Sequence, residues 1–221
     1  MSEVVIVSAT RTPVGSFNGS FSNMSAADLG SIVIKEAVNR AKIKTSDVSQ
    51  VIMGQVLTAS CGQNPARQAS ISAGVPNEIT ALTINQVCGS GIRSIALGLE
   101  SIVSNESEIV VAGGQENMTQ APHCFHLRQA GIMGNSEMID SMIKDGIWDI
   151  FNGYHMGVTA ENVAEKWQIT RDQQDEFALN SQLKAEEAQK NGKFQKEIVS
   201  VPAQLKTGTV VIRDDEYPRH G

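Results

Sequence analysis

A chain of 221 residues with 41% hydrophobic and 19% charged side chains is long enough to bury a core and too apolar to remain disordered. Its net charge of −6 argues against nucleic acid as a partner of the whole chain. The opening MSEVVIVSATRTP carries neither a basic leader nor a long apolar run, and no later run is long enough to span a bilayer, so a soluble, cytoplasmic protein is expected.

In chain order, VVIVSA (4–9) predicts a strand, and the segment 25–42 predicts a helix with Leu29, Ile32, Val33, Ala37 and Ala41 on one face. VIMGQVL (51–57) predicts a second strand, and NPARQASISAGVP a helix with Pro65 in its first turn and Gly74 at its end. ITALTI (79–84) leads into a helix from Gly89 to about Ser104, with Ile92, Ile95, Ala96, Leu99 and Ile102 on one face. EIVVAGG (108–114) reads as a further buried strand. Strands alternating with helices up to residue 120 imply an α/β layered domain. From about Gln115 turn formers take over and neither period persists, which marks an excursion from that layer. Two helices follow, over 158–168 and 170–191, the second opened by Thr170 with Gln173 in a capping-box pattern. EIVSVPAQ and GTVVIRDDEYPRHG predict short strands.

Three cysteines, Cys61, Cys88 and Cys124, form an odd set without CxxC spacing, which predicts free thiols rather than a disulfide framework or a zinc ribbon. Cys88 is set apart by its place in NQVCGSGIRSI, between the end of a strand and the start of a helix. Backbone N–H groups and the positive end of a helix dipole favour the thiolate of a cysteine so placed, and the thiolate is the attacking species. Gly89 and Gly91 leave room for a substrate carbonyl. A free cysteine is also a common inert core residue, and the local pattern leaves both readings open.

Motif comparison narrows the choice. CGSGI starts like a papain-type signature with His220 far downstream, but it departs at Gly91 and Ile92. GSGIRS imitates a dinucleotide fingerprint without its final glycine. His123, Cys124 and His126 supply three potential metal ligands and no evident fourth, which favours a solvated or interface loop.

VIVSATRTPVGSFNGSF, NQVCGSGIRSI, VAGGQENMTQAPH, DGIWDIFNGYHMGVTAENVA and DDEYPRHG, in that order, resemble the thiolase family from one end of the chain to the other. The resemblance implies two similar layered half-folds with a loop domain inserted in the first. Residues 1–118 then correspond to the first half-fold and 119–221 to the loop domain, with the second half-fold absent. It implies reversible acetyl-CoA acetyltransferase chemistry with Cys88 as the acyl-carrying nucleophile. His155 and Met156 would line the acyl and pantetheine end of the coenzyme A tunnel, and Arg219 would meet its nucleotide end. Coenzyme A enters as a thioester substrate, and no separate cofactor is implied. The family's activating histidine, its second cysteine and its water-positioning asparagine belong to the half that is not here, so a catalytically silent piece needing a complementary chain is the competing reading. The APHCFHLRQAGIMGN segment is similar to the loop that joins dimers into tetramers, which implies a homo-oligomer and an interface role for His123, Cys124 and His126.

Overall fold

A computed structural model describes residues 3–219 except 127, 129–132, 134 and 207. The chain forms two compact units, one made of the residues up to Gln120 with Lys196–Glu216, the other of Ala121–Gln195 with the residues from Tyr217 onward. Among the described residues no helix is long and apolar enough to cross a membrane.

The first unit is mixed α/β. Helix α1 (Ala26–Ala41) starts at Ser25, whose hydroxyl accepts from the Asp28 N–H while the Asp28 carboxylate accepts from the Ser25 N–H, and it ends at Lys42 in the left-handed conformation. Then come β1 (Gln50–Gly54), α2 (Pro65–Ser72), β2 (Thr80–Ile84), α3 (Ser90–Val103) and β3 (Val110–Gly114). The strands form a parallel sheet in the order β2-β1-β3, with Gln50 opposite both Thr80 and Val110. The crossover through α2 runs one way along the sheet and the crossover through α3 runs back past β1. Right-handed crossovers therefore lay the two helices on opposite faces. Helix α2 packs on β1, β2 and α1, whereas α3 packs on β1 and β3.

The central strand explains its own apolar run. Val51, Ile52 and Met53 are at most 2% exposed, as a strand covered on both faces requires, and truncating any of them to alanine would cost about 2–5 kcal/mol. Helix α2 contributes Ala66 and Ala69, small enough to admit Ile34 and Val38 of α1 into the same core. Asn64, in the left-handed region, caps α2 through the Arg67 N–H, and Gly74 at φ +89° ends the turn after it.

The second unit contains two short antiparallel pairs, β4 (His123–Cys124) with β5 (Ile139–Asp140) and β6 (Trp148–Asp149) with β7 (Tyr154–His155), and then helices α4 (Met156–Lys166) and α5 (Arg171–Lys190). Thr170 and Gln173 close the capping box that the sequence predicts for α5. The chain returns to the first unit as an antiparallel hairpin, β8 (Val201–Leu205) and β9 (Gly208–Ile212). Val201 and Ala203 of that hairpin are fully buried with Phe21 and Leu29.

Two sequence expectations need correction. The buried residues of α1 include Ile34 and Val38 rather than Val33 and Ala37, because the helix is covered on two sides: Ile34 and Val38 join the sheet-side core, and Leu29 with Ile32 joins the hairpin-side cluster. A single stripe was the wrong template for a helix between two cores. The strand expected over 4–9 does not form. Its neighbour Arg11 pairs with the chain before β8, through Arg11 N–H to the Glu197 carbonyl and Val199 N–H to the Arg11 carbonyl, both 2.9 Å. No strand among the described residues pairs with 4–9 itself, and Val5, Ile6 and Val7 stand 64%, 77% and 68% exposed. A β-rich run becomes a strand only when it has a ladder to join.

Candidate active site

Strand β2 ends at Ile84, α3 begins at Ser90 with Gly89 as its N-cap, and Cys88 lies exposed in the turn between them. The turn is held from inside. The buried Ser90 hydroxyl accepts from the Gln86 N–H at 2.8 Å and donates to the Val87 carbonyl at 2.6 Å, and the Gly89 N–H donates to the Gln86 carbonyl at 3.1 Å. The Asn85 side-chain oxygen accepts from the Val87 N–H at 2.8 Å. Val87 adopts φ +49°. A β-branched residue in the left-handed region costs roughly 1–2 kcal/mol, and such strain persists only where the surroundings over-determine it. Here it sits on the residue before the thiol.

The turn is also pressed onto the sheet. A Cβ built on Gly54, the last residue of β1, would lie 2.5 Å from the Ser90 Cβ, so glycine is what lets the start of α3 approach the strand end. Helix α3 faces the sheet with Ser90, Ser94, Gly98 and Ser101, all buried, and the Ser94 hydroxyl donates to the Gly113 carbonyl at 2.8 Å. Its apolar residues point the other way: Ile92 is 79% exposed, Ile95 47%, Leu99 49% and Val103 55%.

Three consecutive residues after β3 staple the same end of the sheet. Gln115 donates to the Gln55 side chain at 2.9 Å, both buried. The Glu116 carboxylate accepts from the Val56 N–H at 2.8 Å and the Leu57 N–H at 3.3 Å. Asn117 donates to the carbonyls of Phe21 and Met24 at 2.9 and 2.6 Å. Burial pushes the Glu116 carboxyl above its ordinary value, and the two backbone hydrogen bonds only partly offset that.

The remaining predicted site residues belong to the second unit. His155 is the N-cap of α4, its Nδ1 accepting from the Gly157 N–H at 2.9 Å, so its neutral form carries the proton on Nε2. Met156 opens that helix, 48% exposed. Arg219 is exposed, and its backbone N–H donates to the Gln182 side chain at 2.9 Å. His123 Nε2 lies 3.7 Å from an Asp140 carboxylate oxygen across the β4–β5 pair. His220 and part of the 121–135 segment lie outside the described residues. The first unit contains no histidine at all, since the four stand at 123, 126, 155 and 220. It presents a rigidly held, exposed thiol with no imidazole of its own.

Asn85, Glu116 and the conformation of Val87 escape sequence reading. Left-handed turn positions are normally found through glycine or asparagine, and valine gives no such signal. Glu116 could have been noticed as a carboxylate two residues past an apolar, half-buried strand, where a charge needs donors.

The family model described as thiolase, N-terminal domain, matches residues 4–221. An acetyl-CoA acetyltransferase of Paracoccus denitrificans is 58% identical over 221 residues, covering 100% of this chain and 56% of that protein. The acetyl-CoA acetyltransferase of Rhizobium meliloti (strain 1021) is 56% identical over 218 residues, covering 99% of this chain and 56% of its own length. A cytosolic acetyl-CoA acetyltransferase of Rattus norvegicus is 52% identical over 99% of this chain and 55% of its own length. The chain thus spans a little over half the length of these relatives, and it belongs to the thiolase family.

Proposed function

We propose that this chain is the nucleophile-bearing part of an acetyl-CoA acetyltransferase and that Cys88 carries the acyl group. The observation that carries the reading is the strained, fully braced turn that presents Cys88 exposed at the start of α3. Strain maintained beside a nucleophile costs stability and repays it in pre-organisation. The names of the relatives supply the substrate.

In the first step the Cys88 sulfur attacks the carbonyl carbon of acetyl-CoA, the bond from that carbon to the coenzyme A sulfur breaks, and coenzyme A leaves with the proton given up by Cys88. In the second step a second acetyl-CoA loses a methyl proton to a base, its carbanion attacks the acetyl-enzyme, and the Cys88 sulfur is expelled as acetoacetyl-CoA forms. Backbone N–H groups at the turn would stabilise the oxyanion in both steps. In the same reading, residues 1–118 are the first half-fold and 119–221 the loop domain. His155, Met156 and Arg219 contact coenzyme A, and the assembled enzyme is a cytoplasmic homo-oligomer.

The absence of histidine from the first unit favours a second reading of the chain in isolation: it is silent until a complementary half supplies the base. The apolar side of α3 and the exposed run Val5–Val7 give that half a surface to cover. Acetoacetyl-CoA formation is to be assayed with the chain alone and after mixing with a polypeptide spanning the second half of a relative. Activity only on mixing supports the proposal; robust turnover by the monodisperse chain alone defeats the requirement for a second half.

A further inference from the structure

The geometry points to Glu116 as a positioning residue for Cys88, acting through the 55–57 loop and Asn85. The links are all within the first unit. Glu116 holds the Val56 N–H at 2.8 Å and the Leu57 N–H at 3.3 Å, and the Val56 carbonyl accepts from the Asn85 side-chain nitrogen at 3.4 Å. The other end of the same amide, the Asn85 oxygen, accepts from the Val87 N–H at 2.8 Å and so fixes the strained residue next to Cys88. Asn85 is thereby oriented by the loop on one side while it clamps the turn on the other. Glu116 is the only member of the path that brings a charge, and it does so while half-buried. A carboxylate kept in such a place to bind two N–H groups of a loop makes the loop rigid, and a rigid support is what a nucleophile held to a fraction of an ångström requires.

This role rests on Cys88 being the nucleophile, and the test separates the two. Second-order alkylation rates of Cys88 and Cys124 are measured by peptide mass spectrometry in the parent chain, Glu116→Ala, Glu116→Gln, Asn85→Ala and the double variant Glu116→Ala/Asn85→Ala. Amide hydrogen exchange at Val87 is followed in the same samples. Glu116→Ala is expected to slow Cys88 by roughly fivefold, the equivalent of about one ordinary net hydrogen bond transmitted to the turn, with Cys124 unchanged. Glu116→Gln, which keeps one acceptor but loses the charge, is expected to slow Cys88 by an intermediate factor of about two. Asn85→Ala should match Glu116→Ala, and the double variant should be no slower than either single one, because residues on one path are not additive. Val87 exchange should quicken in both single variants. If Glu116→Ala unfolds the chain, Glu116→Gln and Asn85→Ala carry the comparison: a slower Cys88 with faster Val87 exchange supports the role, and unchanged values overturn it. Unchanged Cys88 rates, or fully additive losses, in folded variants overturn the positioning role while leaving the nucleophile standing. A parent chain in which Cys88 is no more reactive than Cys124 fails the nucleophile reading instead. Exchange at Val87 then decides whether the relay exists.

Discussion

Gly54 and Ser90 stand so close that a Cβ on the glycine would meet the Ser90 Cβ at 2.5 Å and the Ser90 carbonyl carbon at 2.6 Å. Neither contact is the flexible end of a side chain, so Gly54→Ala must displace the start of α3 or the end of β1. It is expected to destabilise the first unit by about 1–3 kcal/mol. It should also slow Cys88 alkylation, because Ser90 braces the turn. Urea unfolding together with alkylation kinetics checks both effects.

Val87 gives the opposite sign. Its side chain is half exposed and its φ is +49°, so Val87→Gly loses little packing and relieves the left-handed strain. The net gain should be roughly 1 kcal/mol after the larger unfolded-state entropy of glycine is counted. A higher urea midpoint with slower Cys88 alkylation is the expected pair of results, since the relaxed turn no longer fixes the thiol.

The pairing of Arg11 with Asp215, at 2.7 and 3.0 Å from the two carboxylate oxygens, ties the N-terminal segment to the chain after β9. Burial alone would raise the Asp215 carboxyl, but the hydrogen bond from Arg11, the Val14 N–H and the Arg11 charge together outweigh it and hold the group below its ordinary value. A depressed carboxyl contributes stability above its unfolded value of about 4 and loses it as pH falls through the lower folded value. The parent chain should therefore lose stability below about pH 4 more steeply than Asp215→Asn. At neutral pH the substitution should cost on the order of 1 kcal/mol, given that Arg11 is part-exposed. Thermal melts from pH 6 to pH 3 would show the two curves converge on acidification.

The strand over 51–57 was legible because a strand buried on both faces must be apolar throughout, as Val51, Ile52 and Met53 are, whereas its parallel pairing with β2 and β3 was not read beyond an α/β layer. Helix α5 was legible from Thr170 and Gln173, whose capping is a local event. Residues 4–9 misled because their composition says β while pairing depends on a partner elsewhere. Helix α3 shows the same limit from the other side. Its regular stripe of Ile92, Ile95 and Leu99 announces a helix, yet the residues that meet the sheet are Ser90, Ser94 and Gly98, chosen for close approach rather than hydrophobicity. Cys88 stood out by its glycines. The braces around it, Asn85 and Glu116, depend on contacts between strand ends far apart in sequence, and no local pattern carries them.

Among the three thiols, Cys88 should react first with substoichiometric iodoacetamide at neutral pH. It is exposed, whereas Cys61 and Cys124 are each part-buried, Cys61 with its sulfur 3.5 Å from the Leu57 carbonyl. Peptide mass spectrometry of the folded chain reads the order directly. Cys61 or Cys124 labelled ahead of Cys88 would contradict the reading of the turn.

Covalent capture of the acyl group by Cys88 can be observed without turnover. The chain is mixed with a polypeptide spanning the second half of a relative, incubated with acetyl-CoA and quenched in acid, where a thioester survives. Intact and peptide mass are then measured, with Cys88→Ser as the control. One acetyl group on Cys88, removed by added coenzyme A and missing from Cys88→Ser, is the predicted result. Acetoacetyl-CoA formed by the mixture with no acetyl ever trapped on Cys88, or with Cys88→Ser equally active, would contradict it.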